Sequence, residues 1–146
     1  MPLGGAYPDY VSEELRRSLT PGEAVIGVVF REGGKQLFYA PALPPGLSNW
    51  KEWAQSSDVC LLDGTFWSEN ELIGVGASSK TATEIGHTAL SAPSGLLREF
   101  PGSPKSRKVL IHINNTNPIL DEESAENREA RDAGWEIAYD GMQIDL

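Results

Sequence analysis

Two uninterrupted apolar runs, Asp58-Val59-Cys60-Leu61-Leu62-Asp63-Gly64 and Val109-Leu110-Ile111-His112-Ile113, do most to limit what this chain can fold into. Neither alternates polar with apolar residues, so each suits a strand buried on both faces of a sheet. The first delivers an acid at its C-terminal end, and the second places a histidine where strand becomes loop. Such ends are where rigid strands commonly present functional groups.

The rest of the chain fills in around these two strands. Ser12 ahead of Glu13 and Glu14 predicts a short capped helix that Pro21-Gly22 would stop. The apolar run from Ala24 to Phe30, the turn Glu32-Gly33-Gly34-Lys35 and the run Gln36 to Ala40 predict a β-hairpin, which prolines 41, 44 and 45 end. Ser48 would cap a helix through Trp50 and Trp53, whose i,i+3 spacing puts both rings on one face, more as core than as a ligand cage. Residues 68–79 read as a loop, 81–89 as a helix carrying His87, and Ser94 to Phe100 as a short helix ended by Pro101-Gly102-Ser103-Pro104. The basic stretch Lys105 to Lys108 reads as solvating a loop. Ser124 to Ala133 predicts an exposed helix stopped by Gly134, then a strand from Trp135 to Tyr139 and a last short strand from Met142 to Asp145, with Asp140-Gly141 as a hairpin signal. The order is that of an α/β piece with a mixed sheet and flanking helices, without internal repeats.

Composition narrows the function. The chain has 146 residues, enough for one ordinary core and short for two. A net charge of −9 repels phosphate backbones and anionic membrane surfaces, so neither nucleic acid nor membrane is expected as a partner. Cys60 is the single cysteine, which rules out an internal disulfide and a thiolate-rich zinc site. The residues Met1-Pro2-Leu3-Gly4-Gly5 show no leader pattern and no apolar segment approaches membrane-spanning length, so the chain reads as cytoplasmic.

Only two histidines are present, His87 and His112, so a metal site would need carboxylates or another chain. Asp63 before Gly64-Thr65 either orients a histidine, ligates a metal, or closes an Asx-type turn on its own backbone; the residues alone favour the turn. His87 after Gly86 is a general acid or base, or a surface histidine, and the second is the commoner case. His112 needs a partner if buried, and a metal or a carboxylate would serve; ligand and structural readings are even. Asn114, Asn115 and Asn117 can donate amide hydrogen bonds to a substrate carboxylate, although Asn-rich sequence before Pro118 is also ordinary turn chemistry. Cys60 reads as a small buried hydrophobe.

Four segments, taken in order, change these priors: Leu37-Phe38-Tyr39-Ala40-Pro41, Leu61-Leu62-Asp63-Gly64-Thr65-Phe66-Trp67, Gly86-His87, and the stretch from Val109 through His112 and Asn114-Asn115-Thr116-Asn117 to Glu122. Together with Ala138-Tyr139-Asp140-Gly141-Met142 they resemble the family of coenzyme PQQ synthesis protein B, over the second half of that family's usual length. The resemblance implies the C-terminal half of a metallo-β-lactamase αββα sandwich, with residues 1–146 forming a single partial domain that lacks the N-terminal metal-binding half. By analogy with hydrolases of that fold, it implies Asp63 and His87 as a catalytic acid and imidazole dyad and His112 as a metal ligand; the family's role in turn implies Asn114, Asn115 and Asn117 as substrate-binding residues. Iron or zinc is the cofactor implied for the full-length family, in a site this chain alone would leave incomplete.

The function implied is a part in pyrroloquinoline quinone biosynthesis, by metal-dependent hydroxylation of a tyrosine-derived precursor or by transport of PQQ or its precursor, with this chain inactive alone. The expected partners are an N-terminal half or a second copy, and a small-molecule or peptide-derived PQQ precursor. Two rivals remain open: a noncatalytic half-domain that binds a partner chain or small molecule, and a metal-dependent hydrolase whose site a dimer completes.

Overall fold

Strand order follows from which runs can pair locally and which need a crossover. A computed structural model of the chain describes residues 1–5, 7, 11–20, 22–100 and 106–146. Pro21 and Pro101 to Lys105, expected to stop helices and to solvate a loop, lie outside them. β3 (Val28–Glu32) and β4 (Lys35–Ala40) form the antiparallel hairpin. Its turn needs two residues of positive φ, supplied by Gly33 at 56° and Gly34 at 83°. From β4 the chain crosses through α2 (Trp50–Gln55) to β5 (Val59–Asp63), which pairs parallel to β4. A longer crossover containing α3 (Glu71–Gly74) and α4 (Leu96–Glu99) leads to β6 (Arg107–Ile111), and α5 (Ala125–Asp132) leads to β7 (Glu136–Ile137). The result is a five-stranded mixed sheet in the order β3-β4-β5-β6-β7, with β4 to β7 parallel. The expected mixed α/β architecture with flanking helices is present.

The core lies on one face of that sheet. Alternation along the strands puts Val29, Phe38, Cys60, Leu62 and Leu110 on the same side, where they pack with Trp50, Ala54, Leu97, Phe100, Ala130 and Trp135 from the helices and loops. Trp50 is buried and Trp53 packs against the same cluster, as their spacing predicts. The opposite face carries Phe30, Leu37, Tyr39, Val59, Leu61 and Val109 in the alternate register; Val59 and Val109 are buried there, and Leu37, Tyr39 and Leu61 are half-buried. Phe30 is 53% exposed.

Several expectations from sequence are corrected. The N-terminal residues, for which no strand is expected, form a second, two-stranded sheet: β1 (Pro2–Gly4) pairs with β2 (Val25–Ile26), and the Met1 ammonium donates to the Gly27 carbonyl at 2.7 Å. Gly27 breaks the first hairpin strand in two, and a Cβ there would meet Phe38 Cε2 at 2.7 Å. α1 (Glu13–Ser18) has Ser12 as its cap, but α2 starts after Asn49 rather than Ser48. The stretch 68–79 holds α3. Residues 81–89 form only a 3-10 turn, Thr83–Ile85, because Gly86 enters the left-handed region at φ 92° and ends it, so His87 sits on a loop.

β6 begins two residues earlier than the apolar run suggested, so Arg107 and Lys108 belong to the strand. Lys108 is 5% exposed; its stem is buried while its ammonium donates to the Ala133 carbonyl at 3.0 Å and lies 4.8 Å from the Trp135 ring centre. The stretch from Met142 to Asp145 forms no strand. Gly141, at φ 86°, makes a turn in which the Met142 N–H bonds the Tyr139 carbonyl, and β7 has no further partner among the described residues.

Candidate metal and acid–imidazole site

Parallel strands end on the same edge, so the loops after β4, β5 and β6 meet there. Asp63, the last residue of β5, is 2% exposed and stands at their junction. Its Oδ2 accepts the Leu43 N–H at 2.8 Å and faces His87 Nδ1 at 2.8 Å. Its Oδ1 accepts both the Thr65 N–H at 3.1 Å and the Thr65 hydroxyl at 2.6 Å. Four donors thus occupy the carboxylate, which explains how a charge this deeply buried is tolerated.

The neighbouring loops are tied to this acid. Thr88, next to His87, donates through both its N–H and its hydroxyl to the Leu43 carbonyl. The Gly64 N–H bonds the Ile111 carbonyl at 2.8 Å, and a Cβ on Gly64 would meet that same oxygen at 3.0 Å. Only a glycine lets the ends of β5 and β6 come so close. His112 follows immediately and is the one non-glycine with positive φ, 56°, among the described residues. A histidine held in that region is backbone strain of the kind that collects at functional sites.

Asp63, His87 and His112 come together, each offering one ligand atom, and these atoms lie within 4.8 Å of one another. The two imidazole centres are 5.3 Å apart with planes tilted by 32°, and Phe66 meets the His87 ring edge-on at 5.8 Å. His87 is half-buried and His112 exposed. A carboxylate only accepts, so His87 Nδ1 is the donor to Asp63 and His87 Nε2 is left with its lone pair. That donor set suits a cation: imidazole nitrogen is a ligand for zinc, iron and related metals, and the carboxylate behind it fixes its orientation. With both Asp63 oxygens already hydrogen-bonded twice, the acid is placed to orient rather than to coordinate.

The asparagines divide. Asn117 is buried; its amide donates to the Gly64 and Thr65 carbonyls at 2.9 and 3.3 Å, and its oxygen accepts the Ile119 N–H, so it braces the loop that carries Asp63. Asn114 gives its backbone N–H to the Thr65 carbonyl and its amide to the Thr116 hydroxyl. Asn115 is exposed. Glu71, which the sequence reading passed over, is a buried carboxylate that accepts the Thr116 hydroxyl at 2.5 Å and the Trp67 N–H at 2.7 Å. Thr65 was also missed; a hydroxyl two residues after a strand-end acid is the signal that could have found it. Beside Asp63, which contributes to its wall, a cavity of about 220 Å³ is lined by Leu43, Leu47, Trp50 and Thr88, with the Lys51–Glu99 ion pair also at its wall. Cys60 is buried, and burial pushes its thiol up to about 12, so it is no thiolate at neutral pH.

Comparison with known proteins identifies the family and the fold. A family model described as a beta-lactamase superfamily domain matches residues 10–113. Coenzyme PQQ synthesis protein B of Pseudomonas protegens is 45% identical over 148 aligned residues, which cover 100% of this chain and 48% of that protein. The protein of the same name from Cupriavidus necator is 47% identical over 147, covering 100% of this chain and 48% of that one. The chain spans about half the length of the curated relatives it matches. Among solved structures, the crystal structure of Zn(2+)-bound PqqB from Methylobacterium extorquens superposes with a TM-score of 0.79 at 33% identity, over 84% of this chain and 44% of that one.

Proposed function

Because the chain belongs to the coenzyme PQQ synthesis protein B family within the beta-lactamase superfamily, we propose that it acts in PQQ biosynthesis as the part of such a protein that holds a metal ligand and an acid–imidazole dyad. His112 would hold the cation through Nε2, and Asp63 would keep His87 in the tautomer whose Nε2 can take a proton from a bound precursor. The observation that carries this reading is the convergence of three residues spread over 49 positions of sequence onto one strand edge. An iron or zinc ion bound there supplies Lewis acidity or, for iron, redox chemistry. The relative named for zinc supports a metal of this class, and hydroxylation of a tyrosine-derived precursor is the reaction we assign to the completed site.

Two imidazoles are too few to enclose a catalytic cation, so the remaining ligands come from polypeptide outside these residues, in the fold's other half or a second copy. The apolar surface around Phe30 at the β3 edge of the sheet gives that polypeptide somewhere to pack, and it equally favours a second reading, a noncatalytic half-domain that only docks a partner. Complementation separates the two. The chain is co-expressed with the unmatched part of the Pseudomonas protegens relative in a bacterium lacking its own synthesis protein B, and PQQ is measured. PQQ should return with the wild-type pair and disappear with His112→Ala. Undiminished PQQ in the His112→Ala pair would defeat the metal-ligand reading and leave the docking one.

A further inference from the structure

We infer that Thr65 is a positioning residue that fixes where His112 carries its proton. The argument is a count of hydrogens. The Thr65 hydroxyl has one proton to give and two neighbours within reach, Asp63 Oδ1 at 2.6 Å and His112 Nδ1 at 2.8 Å. Asp63 has nothing to donate, so the threonine proton goes to the carboxylate. Thr65 Oγ1 must then accept from His112, which places the imidazole hydrogen on Nδ1 and the lone pair on Nε2. Thr65 is 6% exposed, so water does not compete freely for its single hydrogen.

One carboxylate therefore governs both rings. Oδ2 takes the Nδ1 hydrogen of His87 directly, and Oδ1 reaches the Nδ1 hydrogen of His112 through the threonine relay. Both imidazoles present Nε2 lone pairs, with ring centres 5.3 Å apart. This deepens the reading above and rests on it only for the metal: a divalent cation that prefers nitrogen would meet a donor already in the ligating tautomer. An unassisted neutral imidazole in water favours the other tautomer, with hydrogen on Nε2, so without the relay the ligating form is a minority state and apparent affinity falls accordingly.

The test reads the proton itself. In long-range proton–nitrogen correlation spectra of the metal-free chain, recorded above the pH at which the imidazoles charge, wild-type His87 and His112 should both show the Nδ1–H pattern. Thr65→Val, nearly the same shape without a hydroxyl, should move His112 toward Nε2–H and leave His87 unchanged, the latter reporting that the fold survived. Thr65→Ser should restore the wild-type pattern. Zinc, used alone as the probe, should bind Thr65→Val roughly 10-fold or more weakly than Thr65→Ser. An Nε2–H pattern for His112 in the wild-type spectrum overturns the relay without any variant having to fold. A tautomer shift with unchanged zinc affinity would keep the relay but remove His112 from the metal, which is a failure of the proposed function instead.

Discussion

The left-handed backbone at His112 can be measured as strain. His112→Ala and His112→Gly both lose the bond to Thr65, but only glycine escapes the steric cost of φ 56°. The glycine variant should therefore be more stable than the alanine variant by about 1 kcal/mol in urea unfolding. Equal midpoints would mean the backbone there is not strained. The position of His112 at the end of a buried run marks it as needing a partner, yet no local pattern names that partner as a threonine 47 positions away. Asp63 is legible as a strand-end acid for the same reason, the apolar run before it, whereas its four donors come from backbone and side chains that only tertiary folding brings near. Asn117 reads equally well as substrate donor or turn residue; its buried amide on Gly64 and Thr65 is a contact that amide-rich spacing alone does not encode.

Between residues and molecule stand the elements, and the long apolar strands were the ones sequence fixed best. β5 was read within a residue at either end because its run is bounded by Asp58 and Gly64. β6 slipped by two because Arg107 and Lys108 look like loop residues until their partners are known: Lys108 reaches out to Trp135, and Arg107 grips Glu136 of β7 with two bonds of 2.7 and 2.8 Å. The helix expected around His87 failed because one glycine outweighed a stretch of moderate propensity. The Arg107 guanidinium, chiefly through its hydrogen bonds, holds the Glu136 carboxyl below its usual range. A carboxylate whose folded value is lowered stabilises the fold above its unfolded value and ceases to do so as pH falls through the folded one. The urea midpoint of wild type should thus exceed that of Glu136→Gln at pH 7, and the gap should close below about pH 4. Because the pair is partly exposed, added salt should narrow the gap at pH 7 as well, and a gap indifferent to both pH and salt would mean the pair does not bind β7 to the sheet.

At the scale of the whole molecule, the sheet has helices and the main core on one face, while the other is closed at Val59 and Val109 and opens toward the β3 edge, where Phe30 is exposed. Phe30, Leu37, Tyr39 and Leu61 alternate with core residues along the same strands, so the uninterrupted hydrophobicity of the central runs reflects two faces, the second of which the described residues cover over β5 and β6 but not at Phe30. A hydrophobic dye should bind the isolated chain, and adding the unmatched part of a relative should displace it. Phe30→Glu should weaken that association and, since the side chain is 53% exposed, leave the chain's own unfolding free energy within about 0.5 kcal/mol of wild type in urea titration. A dye-silent chain would mean the face is already closed. The same surface bears on how the free chain behaves when it is concentrated. Each copy presents Phe30 beside β3, which pairs on one side only among the described residues, and mutual repulsion from a net charge of −9 opposes contact between copies. Salty or acidic surroundings would weaken that repulsion, so solubility, rather than the fold, should set how concentrated the isolated chain can become.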